Sequence, residues 1–170
     1  MIPTTSLADT CARLNDHGAR YVLVGGFAVQ LWGAARATRD IDILIEPTAE
    51  NASRVLEALS GPGGWLARTL VAKEVASKPV TVVGDIPRVD IMTVAWQLSY
   101  AEAAGAACVF EVEGVRIPTA SIEHLIKSKR TGRLQDAADI EVLEEILRLR
   151  GEGPARAEVA DTGLGRTDPS

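Results

Sequence analysis

The chain has 170 residues, 46% of them apolar, and a formal net charge of -5. One domain with a sizeable buried core is expected at this length. The acidic balance excludes a general nucleic-acid coat, though not a local basic site. No apolar run reaches the length of a membrane span. The N-terminus has no basic start followed by an apolar stretch, so no secretion signal is read and a cytoplasmic location is expected.

In chain order, Ser6 to Gly18 predicts a helix, with Leu7, Cys11 and Leu14 forming one apolar stripe. Ser6 fits its N-cap and Gly18 its stop. Tyr21 to Val24 is a short β-rich run ended by Gly25-Gly26, and Phe27 to Trp32 predicts a second helix. Asp40 to Ile45 alternates as a strand. Ile41, Ile43 and Ile45 share one face; Asp40, Asp42 and Leu44 share the other. A helix follows from Thr48 to Leu59, then a Gly61-Pro62-Gly63-Gly64 loop. Val80–Val83 and Val89–Thr93 predict a hairpin around Gly84 to Pro87, and Val109–Val112 and Val115–Pro118 a second around Glu113-Gly114. Between them Tyr100 to Ala107 is a small alanine-rich helix or turn. Ser121–Arg130 and Gln135–Arg150 predict the last helices. From Gly151 large apolar residues nearly vanish. The expected division is therefore a domain over 1–150 and a disordered tail over 151–170. This order points to an α+β, α/β-like domain, with a mixed twisted sheet flanked by helices.

The chemistry concentrates in Val24-Gly25-Gly26 and Asp40-Ile41-Asp42-Ile43-Leu44. Carboxylates two residues apart on a strand point to the same side. Such like charges repel unless a cation lies between them, and oxygen-only ligands suit magnesium. Asp90, between Val89 and Ile91 in another predicted strand, supplies a third carboxylate if the strands are neighbours. Three carboxylates can hold two metals that clamp the attacking and leaving oxygens of an in-line phosphoryl displacement. Gly25-Gly26 sits where a strand turns into a helix, where glycine lets backbone approach a phosphate.

The stretch VGGFAVQLWGAARATRDIDILI resembles the signature of the DNA polymerase β-like nucleotidyltransferase superfamily: a glycine pair, a spacer, then Asp-x-Asp. Within it the chain resembles the small prokaryotic branch of toxin–antitoxin nucleotidyltransferases, both the abortive-infection type and the minimal type. LIKSKRTGRLQDAADIEVL is similar to a segment seen at the end of such domains. The resemblance spans roughly Arg20 to Leu149. It implies a nucleotidyltransferase fold, with Gly25 and Gly26 holding the triphosphate of an NTP. Asp40 and Asp42 would bind two magnesium ions. Asp90 would bind the catalytic metal and help deprotonate the incoming hydroxyl. The implied acceptor is an RNA or tRNA 3′ end or a protein hydroxyl, with a toxin or antitoxin protein as partner. An antibiotic acceptor is less expected, because little length remains for a separate substrate-binding domain.

Arg39, beside Asp40, is a candidate for contacting phosphate, or else a solvated loop arginine. Lys127, Lys129, Arg130 and Arg133 form a basic cluster that fits a triphosphate or RNA backbone, or else a solvated helix end. The resemblance favours function for Lys129. Asp136 and Asp139 read as capping the last helix. His17 and His124 have no metal-ligand partner, and Cys11 and Cys108 read as buried small apolar residues. Trp32, Trp65 and Trp96 could stack on a base or fill the core. The rival reading is a non-catalytic antitoxin or interaction module on the same fold.

Overall fold

A computed structural model of the chain describes residues 6–163, with side chains to residue 151. The first helix, α1 (Leu7–Asp16), opens on a capping box. The Ser6 hydroxyl accepts from the Asp9 amide at 3.0 Å, and the Asp9 carboxylate accepts from the Ser6 amide at 3.2 Å. Gly18, at φ +65, lets the chain leave this helix and enter β1 (Tyr21–Val24). The next helix, α2 (Gly25–Leu31), starts two residues earlier than the sequence pattern places it, because its opening glycines carry no helical signal. Then come β2 (Ile41–Ile45) and α3 (Ala49–Leu59), the latter capped by the Thr48 side chain. A 3-10 turn (Ala67–Thr69) and α4 (Ala72–Ser77) follow. The remaining strands are β3 (Val80–Val83), β4 (Val89–Met92), β5 (Val94–Ala95), β6 (Leu98–Ser99), β7 (Cys108–Val112) and β8 (Val115–Thr119). The remaining helices are α5 (Tyr100–Gly105), α6 (Ile122–Ser128) and α7 (Leu134–Gly163). The helix α7 continues past Gly151, where the sequence reading ends the domain. Residues 164–170 of the expected tail lie outside the described residues.

Six strands form one mixed sheet in the order β3-β4-β2-β1-β8-β7. The pairs β1–β8 and β2–β4 are parallel; the other three are antiparallel. The α+β architecture is the expected one, and both predicted hairpins form. At the second, Glu113 and Gly114 both take positive φ, as a type I′ turn demands. One expectation fails: Leu44, read as sharing the polar face of β2, is fully buried. That face is covered as well, leaving Asp42 as the one half-buried position of an otherwise buried strand. The core runs through Leu14, Leu23, Ile41, Ile43, Leu44, Ile45, Ile91, Leu98, Ile117 and Leu125. β3 and β7 are the sheet's outer strands, and Val80, Val82 and Val109 on them are exposed. Among the described residues no helix is long and apolar enough to cross a membrane.

Candidate active site

The site begins with two strand pairings. Because β2 and β4 are parallel neighbours, Asp42 and Asp90 stand opposite each other in register. Because β1 and β2 are antiparallel, Val24 stands opposite Asp42 on the other side. The chain turns into α2 just beyond Val24, which sets Gly25 against the Asp42 carboxylate. A Cβ at Gly25 would lie 2.0 Å from Asp42 Oδ2, and the φ of +72 there disfavours a side chain independently. A Cβ at Gly26 would lie 2.7 Å from the Thr38 hydroxyl oxygen. Both glycines are thus required by space: one leaves room for a carboxylate, the other for the loop carrying Arg39 and Asp40. No side chain caps α2, and Gly25 and Gly26 at its start line the same cleft as the carboxylates.

Crowded like charges in a half-buried place govern the electrostatics. The Asp42 carboxyl is pushed up to about 7, first by burial, then by the charges of Asp90 and Asp40. Lys129 works in the opposite direction, and a hydrogen bond with Asp90 favours the neutral acid. Arg88 supplies the nearest counter-charge. Its Nε donates to Asp90 Oδ1 at 2.9 Å and its Nη2 to Asp90 Oδ2 at 3.2 Å, with Nε 3.6 Å from Asp40 Oδ2. Among the described residues no group of three His, Cys, Asp or Glu side chains stands in metal-holding geometry. The donor chemistry nevertheless fits magnesium. Three hard-oxygen carboxylates line one cleft, Asp42 is driven toward protonation by burial and by the other two, and the single Arg88 against three carboxylates leaves room for a cation.

The opposite wall is basic and internally paired. Lys129 is only 7% exposed, and its Nζ lies 2.8 Å from Asp139 Oδ2 and 3.6 Å from Asp136 Oδ1. Arg36 pairs with Asp139, and Arg133 Nε donates to Asp136 at 2.8 Å. Burial tends to raise the Asp136 carboxyl, but the Thr131 hydroxyl, Lys129 and Arg133 outweigh it and hold it low. Asp136 and Asp139 are therefore buried counter-ions of Lys129 and Arg36 rather than simple helix caps. Arg39 is exposed on the same cleft.

The cleft has a volume of about 690 Å³ and takes in Gly25, Gly26, Arg39, Asp40, Asp42, Asp90 and Lys129. Of the basic cluster expected around Lys129, Arg133 also lines it, while Lys127 pairs with Glu102 and, like Arg130, is not part of the lining. His17, Cys11 and two of the three tryptophans stay outside the cleft. His17 Nδ1 lies 2.8 Å from the Arg13 carbonyl, and Trp32 donates to the Ala120 carbonyl at 2.8 Å while meeting Phe110 edge-on. Trp65 lies beneath Arg68, and Cys11 is buried. Sequence reasoning missed Arg88, which lies in the loop just before β4 and so belongs to no strand pattern. It also missed Thr38, for which the sequence carried no signal, whereas Arg36 reads with Arg39 as a basic residue just before Asp40.

A search of curated proteins returned no match. The family model described as aminoglycoside-2''-adenylyltransferase matches residues 6–144, from the first helix into the last and across every element that lines the cleft. The chain therefore belongs to the aminoglycoside-2''-adenylyltransferase family, a family of nucleotidyltransferase type.

Proposed function

We propose that this chain transfers an adenylyl group from ATP to an acceptor hydroxyl, with magnesium held by Asp40, Asp42 and Asp90. The observation that carries the reading is the in-register Asp42–Asp90 pair, set directly against a glycine whose missing side chain makes room for the carboxylate. In the reaction the acceptor oxygen forms a bond to the α-phosphorus. The bond from that phosphorus to the bridging oxygen breaks, and pyrophosphate leaves. Magnesium would supply charge neutralisation on the phosphate oxygens. Asp90 takes the acceptor's proton in this reading. Arg39 and Lys129 put positive charge on the leaving-group side, and Gly25 and Gly26 let backbone approach the phosphates.

The matched family is named for an aminoglycoside acceptor, and the net charge of -5 favours a polycation over RNA. An aminoglycoside is therefore the first acceptor to test. An RNA or tRNA 3′ end and a protein hydroxyl, the acceptors expected from sequence, are the others. A toxin or antitoxin partner rests on the sequence resemblance alone. The test is label transfer from α-labelled ATP with magnesium, in parallel arms containing an aminoglycoside, tRNA and cell extract. Label in one arm identifies the acceptor. No label in any arm, together with no binding of ATP, would favour the non-catalytic interaction module.

A further inference from the structure

We propose that Trp96 is a stacking platform for the nucleobase of the bound triphosphate. The inference rests on the nucleotide-binding reading above.

Strands β5 and β6 pair Val94 with Ser99 and Ala95 with Leu98, so the ribbon turns on two residues, Trp96 and Gln97. Two-residue hairpins need positive φ at the first turn residue. Among the described non-glycine residues only Trp96, at φ 58, and Glu113 have it. Gln97 does not, so the turn has the type II′ pattern, whose first central position favours glycine. Tryptophan is a poor occupant of this site: it is bulky, and positive φ strains it.

Packing does not explain the choice. Ala95 and Leu98 anchor the ribbon in the core, while Trp96 remains 54% exposed. The indole does not point to bulk surface at large, since it lines the same cleft as Asp42 and Asp90. Val80, Met92 and Val94 belong to the same lining; Val80 pairs with Met92, and Val94 stands two residues from both Met92 and Trp96, so β3 to β5 give the cleft an apolar end. The basic residues of the lining, Lys129, Arg39 and Arg133, come from other parts of the chain.

A nucleoside triphosphate has the same division. Its phosphates carry the charge, and its base is flat with an apolar face. With the α-phosphate at the carboxylates and the terminal phosphates on the basic side, the base is left for the apolar end. An exposed indole there gives it a face to stack on, an interaction that tolerates any base because every base has a π-face.

The test is binding, not turnover. Calorimetry with magnesium measures the affinity of α,β-methylene ATP and of inorganic tripolyphosphate for wild type, Trp96→Gly and Trp96→Phe. Glycine suits the turn, and phenylalanine keeps a ring. The expected result is a loss of about ten- to a hundredfold for the ATP analogue in Trp96→Gly. Tripolyphosphate affinity should stay unchanged in both variants, and Trp96→Phe should recover most of the analogue's affinity. Unchanged affinity of Trp96→Gly for the analogue overturns the proposal. Equal losses for the analogue and for tripolyphosphate also overturn it, because Trp96 would then be shaping the phosphate site. Failure of wild type to bind either compound would instead overturn the nucleotide reading itself.

Discussion

Asp42 is the residue at which fold and proposed chemistry pull in opposite directions. Its folded carboxyl titrates at about 7 against an ordinary 3.8, so between those values the folded chain keeps a proton that the unfolded chain releases. The stability that Asp42 contributes is therefore fully present below about pH 4 and is lost as pH rises through 7. Asparagine resembles the protonated acid and escapes that loss. Without metal at pH 8, Asp42→Asn is expected to melt roughly 5 °C higher than wild type, with the gap closing toward pH 4. The same variant should transfer no label. A variant that melts lower yet still transfers nucleotide would make Asp42 a structural residue. Gly25 answers to the same carboxylate. Gly25→Ala forces a side chain into the Asp42 oxygen at a backbone angle that disfavours it. Urea unfolding should show a loss of about 1–2 kcal/mol, with transfer abolished. An unchanged midpoint would mean that Asp42 can move aside freely. The glycine pair and the Asp-x-Asp were legible in the sequence because spacing alone puts them on one side. Arg88 was as close in sequence, but a lone arginine in a loop carries no pattern, and its role depends on reaching two carboxylates in space.

The loop before β2 and the passage from α6 into α7 matter most to the basic side of the site. Lys129, just after α6, and Asp136 and Asp139, in the first turns of α7, form a buried charge cluster that Arg36 joins from the loop before β2. The cluster ties the loop carrying Arg39 and Asp40 to the last helix. Lys129→Met would leave two buried carboxylates short of a partner and should cost about 3 kcal/mol in denaturant titrations. Adding Asp139→Asn should restore part of the loss, and purely additive losses would show that the pair is not coupled. The longer helices and the strands of four or five residues were readable because each repeats its apolar pattern at least once or is bounded by turn residues. The β5–β6 ribbon, the 3-10 turn and α4 were not. Two-residue strands have no period, and α4 is one and a half turns without a side-chain cap. The Arg36–Asp139 pair joins residues 103 apart, a distance over which local pattern says nothing.

For the molecule as a whole, the decisive fact is that β2 and β4 are neighbours although β3 lies between them in sequence. The sequence could place Asp42 and Asp90 on strands; only the sheet order makes them adjacent. If magnesium is the missing counter-charge, it binds the folded chain alone and raises its melting temperature by mass action. The rise should be larger at pH 8 than at pH 5, because below 7 the ion competes with a proton on Asp42. It should be absent in Asp42→Asn and reversed by a chelator. An equal rise in wild type and variant would place the ion elsewhere.

The sheet order has another consequence, for how the protein behaves when concentrated. The strand β3 pairs only with β4 among the described residues, and Val80 and Val82 on it are exposed. An open strand edge with apolar side chains is a template for a second chain. Lys78 and Pro79 precede it, a charge and a residue without an amide donor, the kind of guard that blunts such edges. Aggregation of this protein should therefore start at β3. Replacing Lys78 and Pro79 with threonines should bring on turbidity at lower protein concentration, before any change in the melting temperature.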